Sequence, residues 1–190
     1  MIDLNAAEQQ RSSEPIPDNE TVPVHLTLRP GGHGPGGWLK RSRDGRALML
    51  DCEFTVLEGP HARRKFWTML TIEGETAGQL KAAEISRSRV RAMLESARGI
   101  RPSDASESAG AARRISSWEE IEGLRFWAVV GIEKGEGAYP DKNVLKAVVT
   151  PDRRSWSKLE QLAPAGATPS AQIPAPEPVI TSGSRPSWAG

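Results

Sequence analysis

The sequence predicts a mainly β protein, a small five-stranded barrel with one helix between its third and fourth strands. The first observation is that residues 46–73 hold two runs of alternating apolar residues joined by a turn with Gly59 and Pro60, the pattern of a long hairpin. The second is that two more alternating segments, and a short segment with Val and Leu on both faces, flank this hairpin. The third is a segment of helical periodicity that follows it. Because alternation puts successive side chains on opposite faces, each strand offers one apolar face to a shared core.

Length and composition indicate one domain with polar ends. The chain has 190 residues, of which 37% are hydrophobic and 5% aromatic, and its prolines and glycines lie mainly outside the periodic segments. We therefore expect a disordered arm over residues 1–20, a folded domain over 21–155 and a disordered Pro-rich tail over 156–190. Residues 21–158 carry 23 basic and 17 acidic side chains, which suits an anionic partner.

Cellular location is predicted from three absences in the sequence. No apolar run approaches the ~20 residues that span a bilayer, so we expect no membrane association. The first twenty residues lack the pattern of a secretory signal. A single cysteine, Cys52, permits no internal disulfide, and its place in the alternation predicts a buried, inert thiol. These features favour a cytoplasmic protein.

The first three strands are predicted at residues 22–29, 48–57 and 65–72. Between the first two lies a loop, residues 30–46, with so many glycines and prolines that we expect no regular structure in it. This loop holds Trp38 among the cations Lys40, Arg41, Arg43 and Arg46. Aromatic rings stack on bases while Lys and Arg neutralise phosphates, so the loop composition favours binding of single-stranded nucleic acid over a plain connection.

A helix is predicted over residues 85–99, after a polar connection at 76–81. Ser86 suits the N-cap, Ile85 and Val90 suit a hydrophobic staple, and Gly99 suits the C-terminal stop. The buried stripe comprises Val90, Met93, Leu94 and Ala97. Residues 101–116 leave two alternatives open, a weak helix or a mobile excursion.

The last two strands are predicted at residues 124–132 and 143–150. A short capped turn, residues 117–123, precedes them, and a flexible loop, residues 134–142, joins them. This order of three strands, a helix and two strands is that of the OB-fold, a Greek-key barrel that binds oligonucleotides across strands 2 and 3 and the flanking loops. The predicted phosphate and base contacts on that surface are Trp38, Lys40, Arg41, Arg43, Arg46, Arg63, Arg64, Lys65, Trp67 and Tyr139.

Three segments also resemble a family of small proteins encoded by bacterial phages and prophages. They are ALMLDCEFTVLEGPHARRKFW, ISRSRVRAMLESARGI and GLRFWAVVGIEKGEGAYPDKNVLKAVVTPD, and the resemblance covers roughly residues 20–155. That poorly characterised family looks related to OB-fold single-stranded-DNA-binding proteins of phage DNA replication and recombination. The resemblance implies a DNA-binding protein, with RNA not excluded and a homo-oligomer possible. Bacterial proteins of this kind usually end in an acidic tip with a terminal Phe, whereas this chain ends in RPSWAG.

Few residues favour an enzyme or a metal-binding protein. The three histidines lack the paired spacing of a metal site, and the Gly-rich loop lacks the spacing of a phosphate-binding P-loop, so we expect no enzyme activity, metal or cofactor. Asp51 and Glu53 share a face and could bind Mg²⁺ in a nuclease, although no second acidic pair is placed beside them. The main alternative is a non-catalytic phage adaptor or assembly protein that binds a protein partner, with Trp188 of the tail as a possible anchor.

Overall fold

The computed structural model describes residues 14–137 and 139–161. In this part of the chain two 3₁₀ turns, Pro35–Gly37 and Trp118–Ile121, accompany six strands and two α-helices. The elements in chain order are β1 (Thr21–Arg29), β2 (Leu39–Arg41), β3 (Ala47–Val56), β4 (Lys65–Gly74), α1 (Ala77–Arg98), α2 (Glu107–Ala112), β5 (Arg125–Glu133) and β6 (Lys142–Val149).

All described strand pairs are antiparallel and belong to one open sheet. Its order is β2-β3-β1-β5-β6, with β4 paired to β3. Because β4 follows β3 along nearly its whole length, β2 and β1 lie one after the other along the opposite edge of β3. The ends of the sheet, β4 and β6, approach each other without forming a described ladder. A hydrogen bond from the Leu145 backbone N–H to Thr68 Oγ1, 2.8 Å, joins them. We call this place the β4–β6 seam.

The predicted alternation of the hairpin is confirmed and supplies the core. Leu50, Cys52, Phe54 and Val56 of β3 are buried. Phe54 stacks on Phe66 of β4 with 5.1 Å between ring centroids. Leu48 is half-buried, because the register between β3 and β4 shifts between Leu48 and Met49. Leu48 still packs against the core cluster, whose members on β3 begin at Leu50.

Helix α1 begins nine residues before the predicted N-cap. Thr76 is the N-cap, and its side chain and that of Gln79 satisfy each other's backbone N–H groups in a capping box. The prediction of Ser86 as N-cap is wrong, since Ser86 lies buried in the middle of the helix, and Ile85 is 46% exposed rather than packed in a staple. The predicted stripe from Val90 to Ala97 is buried, and Gly99 ends the helix in the left-handed region at φ 70°.

Two predicted irregular segments contain regular structure. The loop at 30–46 includes strand β2, whose backbone pairs with β3 across Leu39↔Leu50, so the prediction of no regular structure there is wrong. Residues 101–116 contain α2, capped by Ser106. This excursion is fastened to α1 by Glu95, which is 3% exposed and accepts from Arg113 Nε at 2.7 Å and Arg91 Nε at 2.8 Å.

The packed domain extends beyond the predicted limits of 21 and 155. Ile16 is 1% exposed, and its backbone exchanges two hydrogen bonds with the Asn143 side chain. Trp156 Nε1 donates to the Ser96 carbonyl, and Gln161 bonds to the backbone of Arg125. The rest of the predicted arm, residues 1–13, and of the predicted tail, residues 162–190 with Trp188, lies outside the described residues.

A helix that crosses a membrane must be both long and apolar. Among residues 14–137 and 139–161, no helix combines the length and the apolar character that crossing a bilayer requires.

Candidate nucleic-acid interface

The outer face of the β3–β4 hairpin carries an exposed aromatic side chain beside two carboxylates. Register pairs Glu53 with Trp67 and Asp51 with Met69. Trp67 is 45% and Met69 40% exposed, because they alternate with the buried residues Phe66 and Leu70. An exposed indole on a rigid strand can stack on a base without first breaking the core.

Glu53 fixes the position of the Trp67 ring. Its carboxylate accepts from Lys65 Nζ at 2.6 Å and from Trp67 Nε1 at 3.0 Å. The hydrogen bond from Lys65, with further help from that of Trp67, holds the pKa of Glu53 below its usual value. Glu53 is therefore ionised at neutral pH, and it neutralises Lys65 on this face.

A groove of about 410 Å³ lies over the β4–β6 seam, next to Trp67. The residues that line it come from β4, α1, β5 and β6, and they are Trp67, Thr68, Met69, Arg89, Glu133, Lys142, Val144 and Leu145. The groove lies where β4 and β6 approach each other without forming a described ladder.

Arg89 is the residue of this groove that the sequence reasoning missed. It is half-buried, and its guanidinium has no hydrogen-bond or ion-pair partner among the described residues. The helical stripe pattern gave no signal for it, because Arg89 precedes the buried Val90 and reaches the seam only through the packing of α1 against β4. Buried cations are normally paired, so an unpartnered one in a groove suits an anionic ligand.

The predicted loop residue Tyr139 borders a second cavity of about 520 Å³, which adjoins the groove through the shared residues Glu133 and Lys142. Tyr139 is 80% exposed. The loop is tight at Gly135, where a Cβ would lie 1.9 Å from the Tyr139 carbonyl oxygen. Trp67 and Tyr139 therefore border two adjoining cavities.

Four cations on or near this surface are already paired with carboxylates. Lys40 lies 3.5 Å from Asp51, and Lys65 lies 2.6 Å from Glu53. The other two pairs, which involve the loop and β6, are Lys134 with Asp141 and Lys142 with Glu133. Exposed pairs of this kind are worth about 0–1 kcal/mol, so an incoming phosphate can displace them.

The remaining predicted cations fall at the two ends of β3. Arg41, Arg43 and Arg46 are exposed at the β2–β3 turn, beside the start of the strand. Arg63 and Arg64 follow its other end, where Arg63 has φ 68° and the Arg64 side chain donates to the Glu14 carbonyl oxygen. A ten-residue strand spans roughly 33 Å. The structure therefore does not gather these cations into one patch.

Trp38 is less exposed than its predicted role as a stacking platform would require. It is half-buried and packs against the hydrophobic core. A Cβ added at Gly36 would lie 2.9 Å from Trp38 Cδ1, so the glycine lets the loop approach the ring closely. Base stacking by Trp38 stays a prediction, and its packing gives it a structural role.

The residues considered for catalysis have other partners. Asp51 and Glu53 are each engaged with a lysine, and the described residues contain no group of three or more His, Cys, Asp or Glu side chains placed to hold a metal ion. Burial raises the pKa of the Cys52 thiol to about 12. Cys52 is therefore protonated at neutral pH, which agrees with its predicted inert character.

Comparison of the sequence with protein-family models and with curated proteins found no match.

Proposed function

We propose that this chain is a non-catalytic single-stranded-DNA-binding protein that acts in phage or prophage replication or recombination in the cytoplasm. The observation that carries the proposal is the exposed Trp67, which lies on a rigid strand beside a groove with an unpartnered arginine. Stacking on an aromatic face together with backbone neutralisation is how proteins hold single strands without reading their sequence. The biological setting rests on the resemblance to phage-encoded proteins.

The strand connectivity supports a finer proposal, an OB-type barrel. In the order β4-β3-β1-β5-β6, the short β2 is an addition in the first loop, and the remaining five strands have the sequence and pairing order of that fold. OB barrels are partly open, and the hydrogen bond from Leu145 to Thr68 joins the two strands whose pairing would complete the barrel. The described sheet itself is open.

The proposed contacts divide by chemistry. Trp67 stacks one base, and Tyr139 at the adjoining loop stacks another. Lys65 and Lys142 contact phosphates after exchanging their exposed carboxylate partners. The Arg41, Arg43 and Arg46 cluster at the β2–β3 turn is a second region of positive charge, separate from the groove.

One observation favours the alternative, a phage adaptor that binds a protein partner. Asp51 and Glu53 lie on the face that carries Trp67 and Met69, and their charges oppose a polyanion. A protein interface uses exposed Trp and Met beside mixed charges readily. The two functions differ in their dependence on salt, because phosphate binding weakens with a log–log slope of about −0.7 for each neutralised phosphate on a single strand.

The test is a fluorescence titration of the purified full chain with a dT oligonucleotide at several salt concentrations. We expect quenching of tryptophan emission and an affinity that falls as salt rises. Trp67→Ala should weaken binding by about 1–3 kcal/mol, or roughly five- to 150-fold, and should remove most of the quenching.

Leu80→Ala is the matched control, since Leu80 is 53% exposed on α1 and does not line the groove. It should leave both the affinity and the quenching unchanged. No binding of wild-type protein to dT at low salt would refute the proposed function and favour the adaptor alternative, for which pull-down of a protein partner lost in Trp67→Ala is the corresponding measurement.

A further inference from the structure

We propose that Arg89 is the principal phosphate contact, and that the bound strand crosses the β4–β6 seam rather than following the hairpin toward the Gly-rich loop. This inference rests on the proposed function and assigns its anion site. It concerns a residue that lies on α1, outside the hairpin and loops on which the sequence reasoning placed every contact.

The first argument is that Arg89, unlike the lysines of this surface, has no carboxylate partner among the described residues. Lys40, Lys65 and Lys142 each have a carboxylate within 3.5 Å, so a phosphate must compete for them. Arg89 has no such competitor among residues 14–137 and 139–161. A phosphate therefore gains the guanidinium without displacing a protein group, and the planar fork of N–H donors can hold two of its oxygens at once.

The second argument is burial. Arg89 is half-buried, whereas Arg41, Arg43 and Arg46 are exposed. An ion pair formed in a groove, with fewer surrounding waters, is screened less by salt than one formed on an open surface. The same phosphate is consequently bound more strongly at Arg89 than at the exposed turn.

The third argument is the path. Arg89 and Trp67 line the same groove, and Tyr139 borders the cavity that adjoins it. A strand with one base on Trp67 and a neighbouring phosphate on Arg89 continues over β6 to the loop at 134–142. The cations of the Gly-rich loop, Arg41, Arg43 and Arg46, line neither of these two cavities.

The experiment compares Arg89→Gln with wild type in the dT titration. We expect about a tenfold loss of affinity at low salt. We also expect the salt slope to become less steep by about 0.7, the contribution of one phosphate. Arg89→Lys should restore the slope but only part of the affinity, because lysine keeps the charge and loses the fork. A dT oligonucleotide with uncharged methylphosphonate linkages should bind wild type and Arg89→Gln equally.

Arg154→Gln is the control, an exposed arginine outside the groove with no partner among the described residues, and it should leave affinity and slope unchanged. If wild type binds dT while Arg89→Gln keeps the wild-type affinity and slope, the inference is wrong although the proposed function stands. Loss of dT binding by wild type itself would remove both. Binding of an acidic peptide to wild type but not to Arg89→Gln, with dT binding unaffected, would instead assign Arg89 to a protein carboxylate.

Discussion

Replacing Glu53 by Gln should strengthen binding to single-stranded DNA. Glu53 lies directly across from Trp67, and its carboxylate contacts both Trp67 Nε1 and Lys65 Nζ. The substitution removes one negative charge from the binding face and releases Lys65. It keeps a side-chain oxygen that can still accept from Trp67, so the orientation of the indole is preserved.

The size of the effect follows from the position of the carboxylate. A phosphate next to a base on Trp67 would lie about 7 Å from Glu53, where the repulsion is roughly 0.6 kcal/mol in bulk water and roughly 2.4 kcal/mol at an effective dielectric constant of 20. Because Lys65 is half-exposed and salt screens the face, the lower part of this range applies. We therefore expect affinity for dT to rise about three- to tenfold at low salt.

The assay is the same titration, with Glu73→Gln as the matched control. Glu73 is exposed on the same hairpin, six residues along β4 from Trp67, or about 20 Å. At physiological salt more than two Debye lengths, each about 8 Å, separate Glu73 from the site, so its substitution should change the affinity measured at that salt less than twofold. The salt slope of Glu53→Gln should stay close to that of wild type, because Lys65 contacts a phosphate in both proteins and only its competition with Glu53 is removed.

A fall in affinity, or no change, in Glu53→Gln would refute this electrostatic account of the face. The pH dependence gives a further check. The pKa of Glu53 is held below its usual value of 4.5, so the carboxylate stays ionised as the pH falls from 7.5 to 5.5. The difference between Glu53→Gln and wild type should persist over that range, and it should shrink only below the usual pKa, where wild-type Glu53 becomes protonated.

Two further predictions concern stability. Glu95→Gln should lower the free energy of unfolding by about 2–4 kcal/mol in urea denaturation, because it leaves Arg113, whose side chain is 15% exposed, without its carboxylate. Glu107→Gln, exposed on α2, is the control. A loss under about 1 kcal/mol in Glu95→Gln would show that the contacts of Arg113 to backbone carbonyls suffice. The Cys52 thiol should not react with a thiol reagent at pH 8 until urea unfolds the protein, because burial raises its pKa to about 12; rapid modification of the native chain would contradict that burial. Above the ordinary thiol pKa of 9.0 the unfolded chain loses this proton and the folded chain does not. Cys52 therefore makes the free energy of unfolding fall as the pH rises from 9.0 toward 12.

Local pattern was sufficient for the elements whose signals are complete within a few residues. The alternation of Leu50, Cys52, Phe54 and Val56 required one buried face whatever the strand pairs with, and those residues are buried. Gly99 stops α1, as a residue free to adopt positive φ does. The start of α1 was missed although its signal, Thr76-x-x-Gln79, is present, because two suitable caps lie along the same polar stretch and burial of Ser86 decides between them.

Packing between distant segments decided the rest. Nothing near Ile16 in the sequence shows that its backbone will meet Asn143, and nothing near Arg89 shows that it will line a groove with residues of β4 and β6. The sequence also placed Lys40 and Lys65 among free cations, since Asp51 and Glu53 become their partners only through strand register. Residue chemistry and periodicity thus determined five of the six described strands and the exposed Trp67. The tertiary structure alone decided which cations are already neutralised and where an anion can approach, because charge pairing depends on distances that the order of residues does not contain.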